Sequence, residues 1–294
     1  MKKFAIVSDS SCDLSKEYRE AHSIDYAKMM LSWNENGQLK EIPASLDWEI
    51  VSSKQFHNVL RSGIRIYTAL VTAEEFLNVF EPHLKKGEDV LYIACSSGLS
   101  ATLNTARLLA DNELKEKYPN QRVVVLDSMR AGMALGFIIM RAVELQEAGK
   151  SLDEVIEVIE KEKLQYKEVG IPDSLSYLRR AGRVSAAPAF FGNMMSLKPI
   201  LVFDEKGSNV AVKKAIGRKA AFKEMANMIK EDIVDPENQE IYLMEADCEQ
   251  VSIDMFSKAV RDVVPVKNII VQPLGPIIGA SSGPGTIIIN YKGK

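Results

Sequence analysis

The feature that most constrains the fold of this chain is a regular alternation of short apolar runs with helical patterns. Three runs rich in β-branched residues, FAIVSDS (4–10), VLYIACSS (90–97) and RVVVLDS (122–128), each stop at small polar residues. Continuous apolar runs of this length are typical of parallel strands that are buried on both faces. Because helical segments separate them, the order predicts βαβ units and an α/β domain whose sheet is mostly parallel.

The helices between these strands have clear start signals. Thr72 and Glu75 form a T-x-x-E pattern before an apolar run, and Ser151 and Glu154 form an S-x-x-E pattern before another. In such capping boxes, the first side chain accepts a hydrogen bond from a backbone N–H in the first turn. Gly87, after two lysines, is a typical stop signal. We therefore predict helices that begin after Thr72 and after Ser151.

The second half of the chain has a different pattern. The segment 173–185 predicts a short helix that ends at Gly182, and 197–217 predicts two strands joined by a turn. A helical face follows over 218–233, and three more apolar runs predict strands. We predict a mixed α+β domain here, with domains at 1–165 and 166–294. The segment 32–50 has little periodicity and receives no assignment.

Composition narrows the class of protein. A chain of 294 residues favours two domains, and its net charge of −3 comes from well-mixed acidic and basic residues, which argues against a nucleic-acid partner. No apolar run approaches the roughly 20 residues of a membrane span, and the first apolar run is too short for a signal peptide. Three widely spaced cysteines suggest a reducing compartment. We expect a cytoplasmic protein without membrane insertion.

Polar side chains stand where each of the three predicted parallel strands ends. They are Ser8, Asp9, Ser10 and Ser11 after the first strand, Ser96, Ser97 and Gly98 after the second, and Asp127 and Ser128 after the third. Ligands of open α/β sheets bind at the carboxyl ends of the strands, where helix N-termini favour anions. The serines therefore predict an anion or carboxylate site, unless they serve only as helix caps and turns.

Catalytic signatures are weak. The 96–100 loop lacks G-x-S-x-G, and the three histidines, His22, His57 and His83, fall in the first third of the chain, where we expect them at the surface. The chain also lacks a P-loop, a dinucleotide fingerprint and metal-ligand spacing. We predict no catalytic residue, no metal and no cofactor. A hydrolase or transferase that uses a serine of this loop is the alternative.

Two other segments invite a functional interpretation. RRAGR (179–183) places arginines at a helix end, where they either compensate the helix dipole or bind an acidic or phosphoryl partner. AAPAFFGNMMSLKPILV (186–202) contains Phe190 and Met194 among other large apolar residues. Such a cluster forms either core or the wall of an apolar tunnel.

Six segments in this order resemble the DegV family of bacterial fatty-acid-binding proteins, which includes the acyl-binding subunits of fatty acid kinases. They are SDSSCDL (8–14), SSGLSATLNTARLLA (96–110), VLDSMRAGMALG (125–136), DSLSYLRRAGRVS (173–185), LKPIL (197–201) and IGASSGPG (278–285). The resemblance covers essentially the whole chain. It implies a two-domain DegV-like fold: an N-terminal sheet flanked by helices, and a C-terminal α+β domain.

The resemblance also implies a function and a site. A long-chain fatty acid would lie in a tunnel between the domains, and a separate fatty acid kinase would phosphorylate its carboxylate. Thr68, Ser97, Ser96 and Gly98 would hold the carboxylate, with Ser281 and Ser282 nearby, whereas Phe190 and Met194 would line the tunnel. A kinase partner would contact Arg179, Arg180, Arg183 and Arg218.

Three places depart from the family pattern. Thr68 is followed by Ala69, Leu70 and Val71 where the family has Ser-Gln-Pro. Ser281 stands where the family usually has a histidine, and Ile216 stands where a basic residue is common. The hydrogen-bond network around the head group is therefore expected to differ from that of relatives. Besides the enzyme, a third hypothesis is a regulatory module without a ligand, which predicts a filled interior.

Overall fold

A computed structural model describes residues 3–184 and 197–294. Its strands are β1 (Phe4–Asp9), β2 (Asp25–Ala27), β3 (Met30–Glu35), β4 (Gln38–Pro43), β5 (Tyr67–Ala69), β6 (Asp89–Ala94), β7 (Val123–Asp127), β8 (Tyr166–Ile171), β9 (Leu197–Phe203), β10 (Asn209–Ile216), β11 (Glu240–Glu245), β12 (Asn268–Pro273) and β13 (Ile287–Lys292). Its α-helices are α1 (Lys16–Ala21), α2 (Ser53–Arg61), α3 (Ala73–Lys85), α4 (Thr102–Leu109), α5 (Lys115–Lys117), α6 (Gly132–Glu147), α7 (Leu152–Glu162), α8 (Leu175–Ala181), α9 (Gly217–Asp232), α10 (Gln250–Arg261) and α11 (Pro276–Ser282). A π-helical segment, Ala110–Leu114, continues α4.

The chain divides into two compact units that are not continuous in sequence. The first contains residues up to 50, 66–164 and 275–277, and the second contains 51–65, 165–274 and 278–294. This division differs from the predicted 1–165 and 166–294 in two segments. The 51–65 segment carries α2, whose Phe56 packs against Gly279 of the second unit, whereas Gly275 lies against Asp13 of the first. Such exchanges depend on tertiary contacts that no local sequence pattern encodes.

The first unit is built on the parallel sheet that the sequence predicts. Its strand order is β2-β1-β6-β7, and all three pairings are parallel. Strands β1 and β6 are buried along their whole length, which explains their continuous apolar runs. Phe76 and Phe80 of α3 pack with Tyr92 of β6 at ring distances of 5.1 and 5.7 Å. The α/β class is therefore confirmed.

One of the two predicted capping boxes is complete, and the other has only one of its two hydrogen bonds. Ser151 and Glu154 form a complete capping box at α7. At α3, Thr72 accepts from the backbone N–H of Glu75, but the Glu75 carboxylate accepts instead from the backbone N–H of Lys28 at 2.8 Å. The glutamate thus ties α3 to the segment after β2, a tertiary use that the local pattern does not reveal.

Two strands of a second, three-stranded antiparallel sheet, β3 and β4, overlap the segment 32–50 that received no assignment. The strand order of this sheet is β4-β3-β5, and β3 and β4 form a hairpin in which Glu35 is opposite Gln38. The two loop residues, Asn36 and Gly37, have φ values of +53° and +79°. Positive φ at both positions is the requirement of a tight type I′ hairpin turn, for which Asn-Gly is the preferred dipeptide.

The second unit contains a six-stranded mixed sheet in the order β10-β9-β8-β13-β11-β12. Only β11 and β12 pair in parallel; the remaining pairs are antiparallel. Helices α9 and α10 cover it, and Phe222 stacks on Phe256 at 4.9 Å in the core. The mixed α+β architecture is thus confirmed. No helix in the described ranges is long and apolar enough to cross a bilayer.

Candidate functional site

The turn after β6 separates two adjacent serines into different roles. Ser96 is fully buried, and its hydroxyl accepts from the backbone N–H of Gly98 at 3.1 Å. Its carbonyl accepts from the N–H groups of Leu99 and Ser100, both at 3.0 Å. Through these hydrogen bonds, Ser96 closes the turn that leads into α4. Ser96 is therefore a structural residue of the loop, and the sequence could not distinguish it from Ser97.

Ser97 is the serine of this turn that faces solvent. It is exposed, as is Gly98, and its backbone N–H donates to Oδ1 of Asp127 at 3.2 Å. Within the described part of the chain, its hydroxyl has no hydrogen-bond partner. An exposed hydroxyl at the carboxyl end of a parallel strand can donate a hydrogen bond to an anionic ligand.

The loop after β7 fixes the position of this turn. The backbone N–H of Ser96 donates to the carbonyl of Arg130 at 2.9 Å, and the buried Ser128 hydroxyl donates to the same carbonyl at 2.9 Å. Met129, between them, has a φ of +55°, so the chain bends sharply there. Ser128 is therefore part of the scaffold, and the arrangement holds the β6 turn at both Ser96 and Ser97.

The serines at the carboxyl end of β1 are also part of the scaffold. Ser8, Ser10 and Ser11 are each fully buried, and the Ser8 hydroxyl donates to the Ile93 carbonyl at 2.9 Å. The Ser11 hydroxyl donates to Asp9, whose other oxygen accepts from the Tyr92 hydroxyl at 2.7 Å. Of the serines after the three parallel strands, therefore, Ser97 is the one whose side chain is exposed at the edge itself.

Thr68 lies on the second sheet of the same unit. It is in β5, directly opposite Leu31, and is half-buried. Its strand pairs with β3 next to Met29, whose N–H donates to the hydroxyl of Ser10 at 2.9 Å. This hydrogen bond joins the segment that leads into β3 to the loop after β1. No described residue hydrogen-bonds to the Thr68 hydroxyl, so Thr68 can also donate to a ligand.

Ser281 and Ser282 lie in the second unit, near the end of α11. The Ser282 hydroxyl is buried and donates to the carbonyl of Ile278 at 2.8 Å, one helical turn earlier. Ser281 is half-buried, and in the described ranges its hydroxyl has no partner. Ser281 thus keeps its side chain available, whereas Ser282 does not. The predicted tunnel residues Phe190 and Met194 lie outside the described residues.

The expectation that the histidines lie at the surface is wrong for His57. Its side chain is fully buried in α2, and Nδ1 donates to the carbonyl of Ser53 at 2.8 Å. A Cβ at Gly279 would lie 3.2 Å from Nε2, so α2 and α11 pack closely there. Burial lowers the pKa of His57. The signal was its position between Phe56 and Leu60, both buried on the same helix.

The four predicted partner-binding arginines differ in their contacts. Arg179 and Arg180 are exposed on α8, and Arg183 follows its cap, Gly182, which has a φ of +70°. The guanidinium of Arg180 stacks over the Tyr177 ring at 4.8 Å. Arg180 Nε also donates to the Ser176 carbonyl at 3.2 Å, and Arg183 donates to the Ala181 carbonyl.

Arg218 lines a polar cleft of about 520 Å³ within the second unit. The lining residues are Arg61, Asp173, Ser174, Ser176, Tyr177, Arg218, Asp247, Cys248, Glu249, Ser252, Pro284 and Gly285. Arg218 donates to the Gly285 carbonyl at 2.9 Å and pairs with Asp173 at 3.3 Å. Arg61 pairs with Asp247. Because both arginines are paired with carboxylates, this cleft has no excess positive charge with which to bind an anion.

Catalytic chemistry finds little support at these positions. Asp127 accepts from the Ser97 amide, and no general base contacts the Ser97 hydroxyl within the described ranges. Burial raises the pKa of Cys12 to about 12 and raises that of Cys95, so neither thiol is a ready nucleophile. Among the described residues, no three His, Cys, Asp or Glu side chains are grouped so that they could hold a metal ion.

The fold and this edge together define an α/β protein with an exposed serine hydroxyl at the carboxyl end of its parallel sheet. Comparison with known proteins makes the class specific. The model of the DegV family, described as uncharacterised proteins, matches residues 3–292. The chain therefore belongs to the DegV family, as its sequence motifs predict.

Individual relatives agree with this assignment. A DegV domain-containing protein of Clostridium perfringens is 33% identical over 293 residues, covering 100% of this chain and 98% of the relative. A fatty-acid-binding DegV family protein from Thermus thermophilus has a TM-score of 0.84 at 26% identity, covering 99% of this chain and 100% of the other. DegV from Bacillus subtilis, a fatty acid binding protein, has a TM-score of 0.82 at 26% identity, with complete coverage of both chains.

Proposed function

We propose that this protein binds a long-chain fatty acid with its carboxylate at Ser97. The observation that carries the proposal is that Ser97 is exposed at the carboxyl end of β6, while its backbone amide is held by Asp127. Thr68 supplies a second available hydroxyl in the same unit, on the strand that pairs with β3. The fatty acid binding of the proteins from Thermus thermophilus and Bacillus subtilis, both 26% identical to this chain, supports the choice of ligand.

The proposal assigns different roles to the residues named from the sequence. Ser97 and Thr68 donate to the carboxylate, whereas Ser96 and Gly98 shape the turn through their mutual hydrogen bond. Ser281, on the second unit, is a further candidate donor. The protein acts as a cytoplasmic binding protein without a cofactor or a catalytic residue of its own.

We further propose that a separate kinase phosphorylates the bound carboxylate. In that case the protein presents the acyl group and the kinase supplies the chemistry. Arg179 is exposed and is the residue best placed to contact an acidic surface of such a partner; Arg180 is also exposed, although its Nε donates to the Ser176 carbonyl. Arg218, which is paired with Asp173, and Arg183, which bonds to its own turn, are less available.

Binding is tested with the protein purified from a bacterial host. We expect mass spectrometry of an organic extract to show a C14–C18 fatty acid in near-stoichiometric amount. After delipidation, added tetradecanoate or hexadecanoate should raise the temperature of unfolding, because a ligand that binds only the folded state stabilises it. Absence of any acyl species together with no thermal shift would contradict the proposed function.

The carboxylate contact is tested by removing and restoring one hydroxyl. Ser97→Ala should weaken fatty acid binding by about 10- to 150-fold, because a hydrogen bond to a charged group contributes about 1.5–3 kcal/mol. Ser97→Thr retains the hydroxyl and should recover most of the affinity. Adding Thr68→Ala to Ser97→Ala should weaken fatty acid binding further. If Ser97→Ala and Ser97→Thr bind alike, Ser97 does not contact the ligand.

A further inference from the structure

A carboxylate stands directly beside the proposed ligand hydroxyl. Asp127 is the last residue of β7 and pairs with Ala94 of β6, two residues before the turn begins. Its Oδ1 accepts from the backbone N–H of Ser97 at 3.2 Å and from that of Met129 at 3.0 Å. Because side-chain bonds are short, the Ser97 hydroxyl oxygen lies at most about 7 Å from this Oδ1.

No cation of the described residues forms an ion pair with this carboxylate. Lys163 is buried nearby, but its ammonium donates to the Asp127 main-chain carbonyl at 2.9 Å and pairs with Glu160 at 2.7 Å. Arg130 donates to the carbonyls of Met129 and Leu164 at 2.7 and 3.0 Å. The two amide hydrogen bonds hold the Asp127 carboxylate in place without cancelling its charge.

Any anion that binds Ser97 therefore meets this negative charge. A ligand oxygen hydrogen-bonded to the Ser97 hydroxyl lies at most about 10 Å from Oδ1 of Asp127, which is within the reach of electrostatic interactions at moderate ionic strength. The repulsion is proportional to the charge of the ligand. It is zero for a neutral head group, moderate for a carboxylate and twice as large for a dianion.

We propose that Asp127 selects ligands by the charge of the head group, admitting a carboxylate and disfavouring a doubly charged phosphoryl group. This inference rests on the proposed function, since it concerns the same site. It adds a consequence: phosphorylation of a bound carboxylate raises the ligand's negative charge, and Asp127 then weakens the retention of the acyl phosphate. Asp127 is thus a specificity-determining residue that also positions the Ser97 turn.

The test compares Asp127→Asn with the wild type on three ligands of equal chain length. Tetradecanol, tetradecanoate and tetradecyl phosphate carry about 0, −1 and −2 charges at pH 8, since the second pKa of a phosphate ester is near 6. The asparagine oxygen can still accept from the Ser97 and Met129 amides. With Coulomb energies at an effective dielectric constant of about 20–80, the variant should bind tetradecanoate about 2- to 20-fold more tightly. The gain for the phosphate should be about the square of that factor, and the alcohol should not change.

Two controls separate charge selection from a structural role. Asp111→Asn removes the same overall charge from an exposed position after α4 and should leave all three affinities unchanged. In the wild type, raising the ionic strength should tighten phosphate binding more than carboxylate binding, because salt screens the repulsion. This second measurement needs no variant.

The outcomes are distinct. Equal changes for all three ligands, or a salt response that does not depend on head-group charge, would overturn the role of Asp127 while leaving fatty acid binding intact. If the wild type binds neither tetradecanoate nor the phosphate, the proposed function fails, and the inference fails with it. A gain that grows from alcohol to carboxylate to phosphate supports both.

Discussion

Replacing Asp13 by asparagine should stabilise the folded protein by up to about 4 kcal/mol at pH 8, and by less than about 1 kcal/mol at pH 4. Asp13 is 5% exposed, and neither of its carboxyl oxygens has a well-formed hydrogen bond within the described ranges. Burial raises the pKa of this carboxyl to about 7, the backbone amide of Gly275 offsets part of that effect, and the charge of Asp9 adds to it. An asparagine side chain has nearly the same shape as the Asp13 side chain but carries no charge.

The dependence on pH follows from proton binding. Between about pH 4 and pH 7, the folded state retains the Asp13 proton while the unfolded chain has lost it, so the unfolded state binds fewer protons. The contribution of Asp13 to the free energy of unfolding therefore falls as the pH rises through this window, by about 1.4 kcal/mol per unit, and does not change further above pH 7. The asparagine variant lacks this contribution, so its advantage grows over the same window.

The measurement is urea-induced unfolding of both proteins at pH 4, 6 and 8. Asp235→Asn is the matched control, because Asp235 also has a left-handed backbone, with a φ of +44° against +50° for Asp13, but is exposed. Any gain from the greater tolerance of asparagine for this conformation appears equally in both variants. A stability difference for Asp13→Asn that does not change with pH would show that the carboxyl is not buried in its neutral form.

Much of the fold could be predicted because its signals are local. The strands β1, β6 and β7 are continuous apolar runs, and their parallel order makes their polar ends meet at one edge. The position of the candidate site follows from this order alone. The hairpin of β3 and β4 also had a local signal, Asn36-Gly37, but β4 has no buried residue along its length, so periodicity did not reveal the hairpin.

The roles of individual site residues could not be predicted, because they depend on partners that are distant in sequence. Ser96 and Ser97 are adjacent and chemically equal, yet one closes a turn and the other is exposed. Asp9 and Asp13, four positions apart in one motif, also have different roles. Asp9 accepts hydrogen bonds from Tyr92 and Cys95, more than 80 residues away, whereas Asp13 faces Gly275.

Replacing Asp9 by alanine should destabilise the first unit by about 3–5 kcal/mol, because several buried donors would lose their acceptor at once. Asp9 is fully buried, and Oδ1 accepts from the Ser11 amide at 3.0 Å and from the Ser11 hydroxyl. Oδ2 accepts from the Tyr92 hydroxyl at 2.7 Å and from the Cys95 amide at 3.0 Å. Each buried donor left without a partner costs about 1–3 kcal/mol.

The same substitution should also weaken fatty acid binding, although Asp9 does not face the ligand. Cys95 directly precedes Ser96, so its amide bond to Asp9 anchors the start of the turn that presents Ser97. Tyr92→Phe is the control: it removes one donor together with its hydrogen bond, should cost only about 1–2 kcal/mol, and should leave fatty acid affinity unchanged. Denaturant unfolding and fatty acid titration at a temperature where both variants are folded make the comparison. If Asp9→Ala costs no more than Tyr92→Phe and binds equally well, the turn is held by the Arg130 carbonyl and the β7 loop alone, and the β1 end does not contribute to the site.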